Sequence, residues 1–201
     1  MLAYDFSHTY ILRDVIGDYL PSLGEENDKV VVINADLGKT CRTRKFQEKY
    51  PERVFNVGIA EQDMVGFAAG LASEGFLPFA FSMANFISMR ACEQCRNDVA
   101  YSDLNVRLIA IYSGLSSGTS GVTHWGMEDC AIMGSMANMT VVEPSDPVQT
   151  RKMLKSFLDY QGPVYMRSTV EPIGQIYDED TYHFEIGKAD RKSTRLNSSH
   201  R

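Results

Sequence analysis

The sequence lacks the features that mark three broad classes of protein. None of its apolar runs reaches the roughly 20 residues that span a bilayer, and the N-terminus lacks the basic region and apolar core of a signal peptide. The net charge is −6, which leaves no basic footprint for nucleic acid. The four cysteines show no disulfide-framework spacing, which predicts free thiols in a reducing cytoplasm. We therefore expect a cytoplasmic protein that binds neither membrane nor nucleic acid.

Two further motifs fall short of common ligand sites. Cys92 and Cys95 have redox spacing, but they lie within a predicted helix and have no second pair for zinc. The Gly-rich loop at residues 114–121 lacks Lys-Ser/Thr after its last glycine, so it is not a P-loop. It also lacks the dinucleotide-binding fingerprint. The cysteines are expected to pack, and the loop is free for another role.

Short apolar runs alternate with helical patterns along a chain long enough for one α/β domain. The continuous β-branched run at residues 30–33 is typical of a strand buried on both faces. Further strands are predicted at 54–57, 77–81, 106–112, 140–142 and 163–166. Helices are predicted from Tyr10 to a stop at Pro21, then at 62–71, 82–100, 129–137 and 147–160, the last capped by Asp146. This alternation predicts a mostly parallel open sheet with helices on both faces.

Glu61 lies where the second predicted strand gives way to a helix. Gly58 breaks the apolar run at 54–57, and the helical pattern begins at Gln62. In open α/β sheets ligands bind at the carboxyl ends of the strands. A carboxyl group there, with apolar sequence neighbours, would be partly withdrawn from water and suited to sharing a proton with a ligand nitrogen. The alternative is a first-turn glutamate that favours the helix dipole.

Three motifs follow one another in a characteristic order, at residues 58–64 (GIAEQDM), 85–86 (NF) and 121–124 (GVTH). Together they resemble the pyrimidine-binding domain of transketolases, and most of all the C-terminal section of split bacterial transketolases. The resemblance runs from about residue 13 to about residue 188. It implies the pyrimidine-type thiamine diphosphate-binding fold and thiamine diphosphate as the cofactor.

The resemblance assigns cofactor-binding roles to several residues. Glu61 becomes the carboxyl group that hydrogen-bonds pyrimidine N1′, so that the imino tautomer can take the proton from thiazolium C2. Phe86 becomes the aromatic ring that stacks on the pyrimidine, although helix core is the alternative. Met83 and Met89 stand where many transketolases have further aromatic residues, which implies a softer pocket wall. Asp36, in the polar turn after the first predicted strand, is also assigned to the cofactor.

Substrate-binding roles are implied for a second group of residues. His124 is assigned to the substrate-facing cleft as a proton carrier or donor, with a structural loop histidine as the alternative. Arg167 and, less directly, Arg13 match arginines that bind the sugar phosphate, for which a bidentate guanidinium is suited. Surface ion pairs are the alternative for both arginines. Tyr112 replaces an active-site histidine of some transketolases.

A Gly-Asp-Gly motif is absent from the sequence. Family members use this motif, on another domain, to hold the diphosphate and a divalent metal such as Mg²⁺ or Ca²⁺. The resemblance therefore implies a partner, an N-terminal transketolase-type subunit carrying Gly-Asp-Gly, and no metal ligands in this chain. It further implies an active site at the subunit interface and self-association in an α2β2-type assembly.

The leading hypothesis is a two-chain transketolase of pentose phosphate or related carbohydrate metabolism. It would move a two-carbon ketol unit between sugar phosphates. A second hypothesis is another thiamine diphosphate enzyme, similar to 1-deoxyxylulose-5-phosphate synthase or to the β subunit of a 2-oxo acid dehydrogenase. A third is a non-catalytic binding subunit that retains the fold.

The end of the sequence departs from the family pattern. We expect residues 1–183 to form the pyrimidine-binding domain and residues 184–189 to open the strand of a truncated C-terminal domain. Residues 190–201 have the composition of a disordered tail and resemble a translated sequencing adapter, which indicates a truncated gene model. A natural polar tail is the alternative.

Overall fold

The computed structural model describes residues 2–188 and places six strands in one parallel sheet. These strands are β2 (Val30–Asn34), β3 (Val54–Asn56), β4 (Leu77–Met83), β5 (Arg107–Ile111), β6 (Thr140–Val142) and β7 (Val164–Ser168). Their order across the sheet is β3-β2-β4-β5-β7-β6, and every neighbouring pair is parallel. The predicted parallel sheet is therefore confirmed.

The helices cover both faces of the sheet. They are α1 (Leu12–Glu26), α2 (Arg44–Lys49), α3 (Glu61–Ser73), α4 (Cys92–Gln94), α5 (Asp129–Gly134) and α6 (Pro147–Ser156). One core forms between the sheet and α1, α2 and α6, and the other between the sheet and α3, α5 and the segment around α4. β2, β4 and β5 are buried on both faces, because a continuous apolar run has no polar side to turn to water. None of the described helices combines the length and apolar composition needed to cross a bilayer.

A separate two-stranded sheet was not predicted. β1 (Leu2–Tyr10) pairs antiparallel with β8 (Ile173–Tyr177). The side chain of Asp146 anchors β8, because Oδ2 accepts the backbone N–H groups of Ile176 and Tyr177, both at 2.8 Å. Oδ1 of the same residue accepts the N–H of Gln149 at 2.6 Å, which confirms the predicted cap of α6. One carboxylate thus joins a helix start to the added sheet.

Two predictions about the helices are wrong. Pro21 does not stop the first helix, since α1 continues to Glu26. The helix buries Leu20 just before the proline and Leu23 just after it. The predicted helix at 82–100 is a strand end followed by helical segments, because Ser82 and Met83 belong to β4. Two π-helical segments, Phe86–Arg90 and Cys95–Ala100, flank the short α4.

The predicted strand at 184–189 is also wrong over the residues described. Residues 184–188 form no strand, and Phe184 and Ile186 instead pack against the core beneath α1 and α6. Ala189 and the predicted tail at 190–201 lie outside the described residues.

Arg107 is buried at the start of β5 and holds the chain that follows α6. Its guanidinium donates to the carbonyl oxygens of Phe157, Tyr160 and Gly162 at 2.5–3.1 Å. Burial lowers the pKa of Arg107 to about 10, so the group stays charged at neutral pH. The buried charge is tolerated here because these carbonyl groups solvate it.

Replacing Arg107 with Met should lower the free energy of unfolding by about 3–5 kcal/mol, because three carbonyl groups lose their donor in the interior. Chemical denaturation measures the change. Arg44→Met is the control, since Arg44 is an exposed helix residue paired with Glu48 and should change stability by at most about 0.5 kcal/mol. Equal effects of the two variants would contradict a structural role for Arg107.

Candidate active site

A cavity of about 380 Å³ opens at the carboxyl ends of β2, β3 and β4. Its lining includes four of the residues that the sequence assigns to the cofactor or substrate: Asp36, Glu61, Phe86 and His124. They come from four separate stretches of chain, namely the turn after β2, the start of α3, the π-helical segment after β4 and the residues that follow the Gly-rich loop. Parallel strands bring these stretches together because their carboxyl ends share one edge.

Glu61 is the first residue of α3 and is 1% exposed. Its Oε1 accepts the hydroxyl of Ser82 at 3.1 Å, and its Oε2 accepts Nη1 of Arg90 at 2.6 Å. The prediction that this carboxyl group is withdrawn from water is confirmed. Of the apolar sequence neighbours that were expected to shield this group, Ile59 is 78% exposed, so the expectation is wrong for that residue. The β4 strand and the π-helical segment shield the group instead.

The aromatic wall of the cavity is Phe86, whose ring meets two neighbours. The Cζ atom of Arg90 lies 4.1 Å from the ring centroid, within cation–π distance. The His124 ring packs edge-on, with 5.3 Å between centroids and an interplanar angle of 64°. Phe86 is only partly buried, so its ring is available to the cavity rather than enclosed in the core.

His124 is placed by the loop that contains it. Its Nδ1 lies 2.9 Å from Oγ1 of Thr123, and the carbonyl oxygen of Thr123 accepts Nδ2 of Asn85 at 2.5 Å. Farther along the loop, a Cβ at Gly126 would lie 2.7 Å from Cβ of Ala84. A side chain at Gly126 would therefore push the loop away from the start of the helical segment, and His124 away from Phe86.

Asp36 sits on a strained turn at the end of β2. Its φ of 60° lies in the left-handed region, which costs energy for a residue with a side chain. Oδ1 of Asn56, at the end of β3, accepts the N–H groups of Asp36 and Gly58 at 3.0 Å each. These bonds hold the turns after two neighbouring strands in fixed positions around the cavity.

Arg13 and Tyr112 form a pair outside the lining of this cavity. Nη1 of Arg13 donates to the Tyr112 hydroxyl at 2.5 Å, although the residues are 99 positions apart in sequence. Tyr112 also has a left-handed φ of 64° at the end of β5. The structure thus brings two predicted substrate residues together, and their role stays a prediction.

Arg167 is engaged by two carboxylates. Its Nε donates to Oδ2 of buried Asp129 at 2.9 Å, and its Nη1 donates to Oε2 of Glu143 at 2.8 Å. Burial opposes the charge of Arg167, but these carboxylates outweigh it and raise the pKa of the guanidinium. The Tyr165 hydroxyl also donates to Asp129, and burial together with Asp129 raises the pKa of Tyr165. The ion pair left open as an alternative for Arg167 is therefore present.

Comparisons with known proteins identify the family. Residues 9–173 match the model of the transketolase pyrimidine-binding domain. A putative transketolase C-terminal section from Methanocaldococcus jannaschii is 42% identical over 178 residues, or 88% of this chain and 56% of that protein. The 6-deoxy-6-sulfo-D-fructose transketolase subunit SqwH of Clostridium sp. is 39% identical, over 89% of this chain and 55% of that protein.

A solved structure of a split-gene transketolase, an inactive β4 tetramer, superposes with a TM-score of 0.80 and 40% identity, over 90% of this chain and 58% of that one. The chain belongs to the transketolase pyrimidine-binding domain family. It spans a little over half the length of these relatives. The family resemblance and the fold predicted from the sequence are confirmed.

Two residues assigned to the pocket wall do not line the cavity of this transketolase-type domain. Met83 is buried as the last residue of β4, and Met89 is 54% exposed on the helical segment. Three residues at the site were missed, namely Ser82, Asn56 and Arg90. An arginine four positions after Phe86 was the available signal for Arg90, because helical neighbours at that spacing share a face.

All four cysteines are free thiols, and burial raises the pKa of Cys95 above its ordinary range.

Arg167→Met should lower the free energy of unfolding by about 3 kcal/mol, because it removes a charged partner from the buried Asp129 carboxylate. Denaturant titration of the full chain measures this. Glu143→Gln removes the exposed arm of the same network and should cost at most about 1 kcal/mol. A larger loss for Glu143→Gln than for Arg167→Met would contradict this account of the network.

Proposed function

We propose that this chain is the pyrimidine-binding subunit of a two-chain, thiamine diphosphate-dependent transketolase. It would act in the transfer of a two-carbon ketol unit between sugar phosphates. The observation that carries the proposal is the Glu61 carboxylate, buried at the lip of a cavity that also contains the Phe86 ring and His124. Membership in the transketolase pyrimidine-binding domain family supports the same reaction class.

The residues around the cavity fit an aminopyrimidine. Glu61 presents a carboxyl group to a ring nitrogen, and the partly open ring of Phe86 offers a stacking surface. Bound thiamine diphosphate supplies a nucleophilic thiazolium carbon, while the protein supplies binding, orientation and electrostatics. Glu61 would hold and exchange a proton at pyrimidine N1′. Ser82 would keep the carboxyl group oriented through its hydrogen bond to Oε1.

The substrate would enter on the side of His124. The edge-on contact between His124 and Phe86 supports this assignment, in which His124 would donate a proton to a substrate oxygen. We assign Tyr112 and Arg13 to the same side of the site, as a hydrogen-bonding pair at the end of β5. Arg167 would contribute positive charge near the substrate phosphate while it remains paired with Asp129.

A partner subunit would complete the site. This sequence lacks Gly-Asp-Gly, and among residues 2–188 no group of three His, Cys, Asp or Glu side chains is arranged to hold a metal ion. Three apolar side chains close to the cavity residues in sequence are largely exposed: Ile59 at 78%, Met89 at 54% and Val122 at 73%. Exposed apolar side chains such as these are typical of a surface that another chain covers. The solved relative, inactive as a β4 tetramer, supports the need for a partner in an α2β2-type assembly.

The purified chain alone should show no transketolase turnover, because it carries no Gly-Asp-Gly motif for the diphosphate and metal. Addition of a subunit that carries the motif, with Mg²⁺ and thiamine diphosphate, should produce activity with a ketose phosphate donor. A coupled assay for the aldose product measures it. Metal-dependent turnover by the purified chain without a partner would overturn the two-chain assignment.

Glu61→Gln should slow hydrogen–deuterium exchange at C2 of the bound cofactor by about 10²–10⁴-fold, the usual scale for a positioned acid or base. Glutamine keeps nearly the same shape and one acceptor oxygen, but it cannot exchange a proton with N1′. NMR of quenched samples of the reconstituted pair measures the exchange before any sugar is added.

Asp63→Asn is the matched control, since Asp63 lies in the same first turn of α3 but is exposed. Loss of either carboxylate weakens the interaction with the helix dipole by a similar amount, about 0.3–1 kcal/mol. The control should therefore leave C2 exchange unchanged. An unchanged exchange rate in Glu61→Gln would remove Glu61 from cofactor activation.

A further inference from the structure

Arg90 makes both of the contacts that the proposed function assigns to an aminopyrimidine. Its Nη1 donates to Oε2 of Glu61 at 2.6 Å, and its Cζ lies 4.1 Å from the centroid of the Phe86 ring. The guanidinium is flat, carries N–H donors along its edge and stacks on aromatic faces. In its planarity and in the N–H that it offers to Glu61, it resembles an aminopyrimidine ring protonated at N1′.

These contacts leave no room for a second ring in the same place. A group at 4.1 Å from the Phe86 centroid occupies the stacking distance on that face of the ring. Glu61 has its other oxygen engaged by Ser82, so the carboxylate has a donor on each oxygen. A ligand that stacks on this face of the Phe86 ring must therefore displace the guanidinium.

The surroundings of Arg90 provide a place for the displaced side chain. Ile59, Glu61 and Arg90 also line a neighbouring cavity of about 600 Å³, whose wall contains the acidic residues Asp63 and Asp98. The Oε1 atom of Gln94, another residue of this wall, is buried without a hydrogen-bond partner among residues 2–188. The Arg90 side chain is 45% exposed, so its movement does not require the core to open.

We propose that Arg90 is an internal occupant of the pyrimidine site, which an incoming aminopyrimidine displaces toward Gln94 and Asp98. The proposal rests on the proposed function, because it takes Glu61 and Phe86 as the ligand's contacts. In the free chain Arg90 pairs with the buried Glu61 carboxylate. This pairing is needed because a buried charge without a partner destabilises the fold. Binding then draws on the small population in which Arg90 has already left.

The test is direct binding to the full-length chain of 4-amino-5-hydroxymethyl-2-methylpyrimidine, a probe without the diphosphate. Calorimetric or NMR titration should give a dissociation constant about tenfold lower for Arg90→Met than for the natural chain. The reason is that the variant has no population in which Arg90 occupies the site. Arg96→Met is the control, since Arg96 is exposed on the next π-helical segment and bonds Asn97. It should bind the probe as the natural chain does.

Equal or weaker binding by Arg90→Met, or no binding at all, would overturn the proposal. The dissociation constant of Arg90→Lys for the probe should lie between those of the natural chain and Arg90→Met, because lysine keeps the charge but loses the flat stacking group. In the natural chain the Nε–H resonance of Arg90 should shift on addition of the probe, as the proton leaves the Phe86 ring current. A resonance that stays in place at saturation would likewise contradict displacement.

Failure of the proposed function has a different signature. If Glu61→Gln leaves C2 exchange unchanged in the reconstituted pair, Glu61 does not activate the cofactor, whatever Arg90 does to probe binding. If Glu61→Gln slows exchange but Arg90→Met leaves probe affinity unchanged, the function stands and the internal-occupant role fails. A drop in the denaturation midpoint of Arg90→Met relative to Arg96→Met is expected in addition, from the unpaired Glu61 carboxylate.

Discussion

A carboxylate removed from water must find hydrogen-bond donors inside the protein, and the local structure around Glu61 follows from that need. One donor, Ser82, comes from β4, and the other, Arg90, comes from the segment that follows β4. Ser82 and the backbone that carries Arg90 are held next to α3, because β4 is buried in the middle of the sheet and α3 packs beside it. A cost that would normally disfavour a buried charge is thus offset by a scaffold of strands and helices.

The π-helical segment after β4 is the part of the scaffold that sets this geometry. π-helical turns are rare and are frequently found at functional sites. Here one of them carries Phe86 at its start and Arg90 at its end, and the guanidinium of Arg90 lies over the face of the Phe86 ring. The same segment contributes Ile87 to the core beneath it. It therefore anchors through one face while it presents aromatic and cationic groups through another.

Much of the fold could be predicted from the sequence because central parallel strands leave a strong signal. A run such as residues 30–33 must be buried on both sides, and helix starts such as Asp146-Pro147 carry their own capping chemistry. β1 and β8 gave no such signal, because each is stabilised by pairing with a strand more than 160 residues away in the chain. Pro21 was misjudged because burial of Leu20 and Leu23 stabilises α1 across the lost backbone hydrogen bond.

The candidate site divides in the same way. Positions at strand ends, such as Asp36 and Glu61, could be located from local pattern, and the family motifs pointed to Phe86 and His124. The hydrogen-bond partners of these side chains could not be located from local pattern. Arg13 contacts Tyr112, 99 positions away in the sequence, and Arg167 contacts Asp129, 38 positions away. Each of these arginines is bound to a specific acceptor in the folded chain. The positive charge on this edge of the sheet is therefore held in place by contacts within the folded chain.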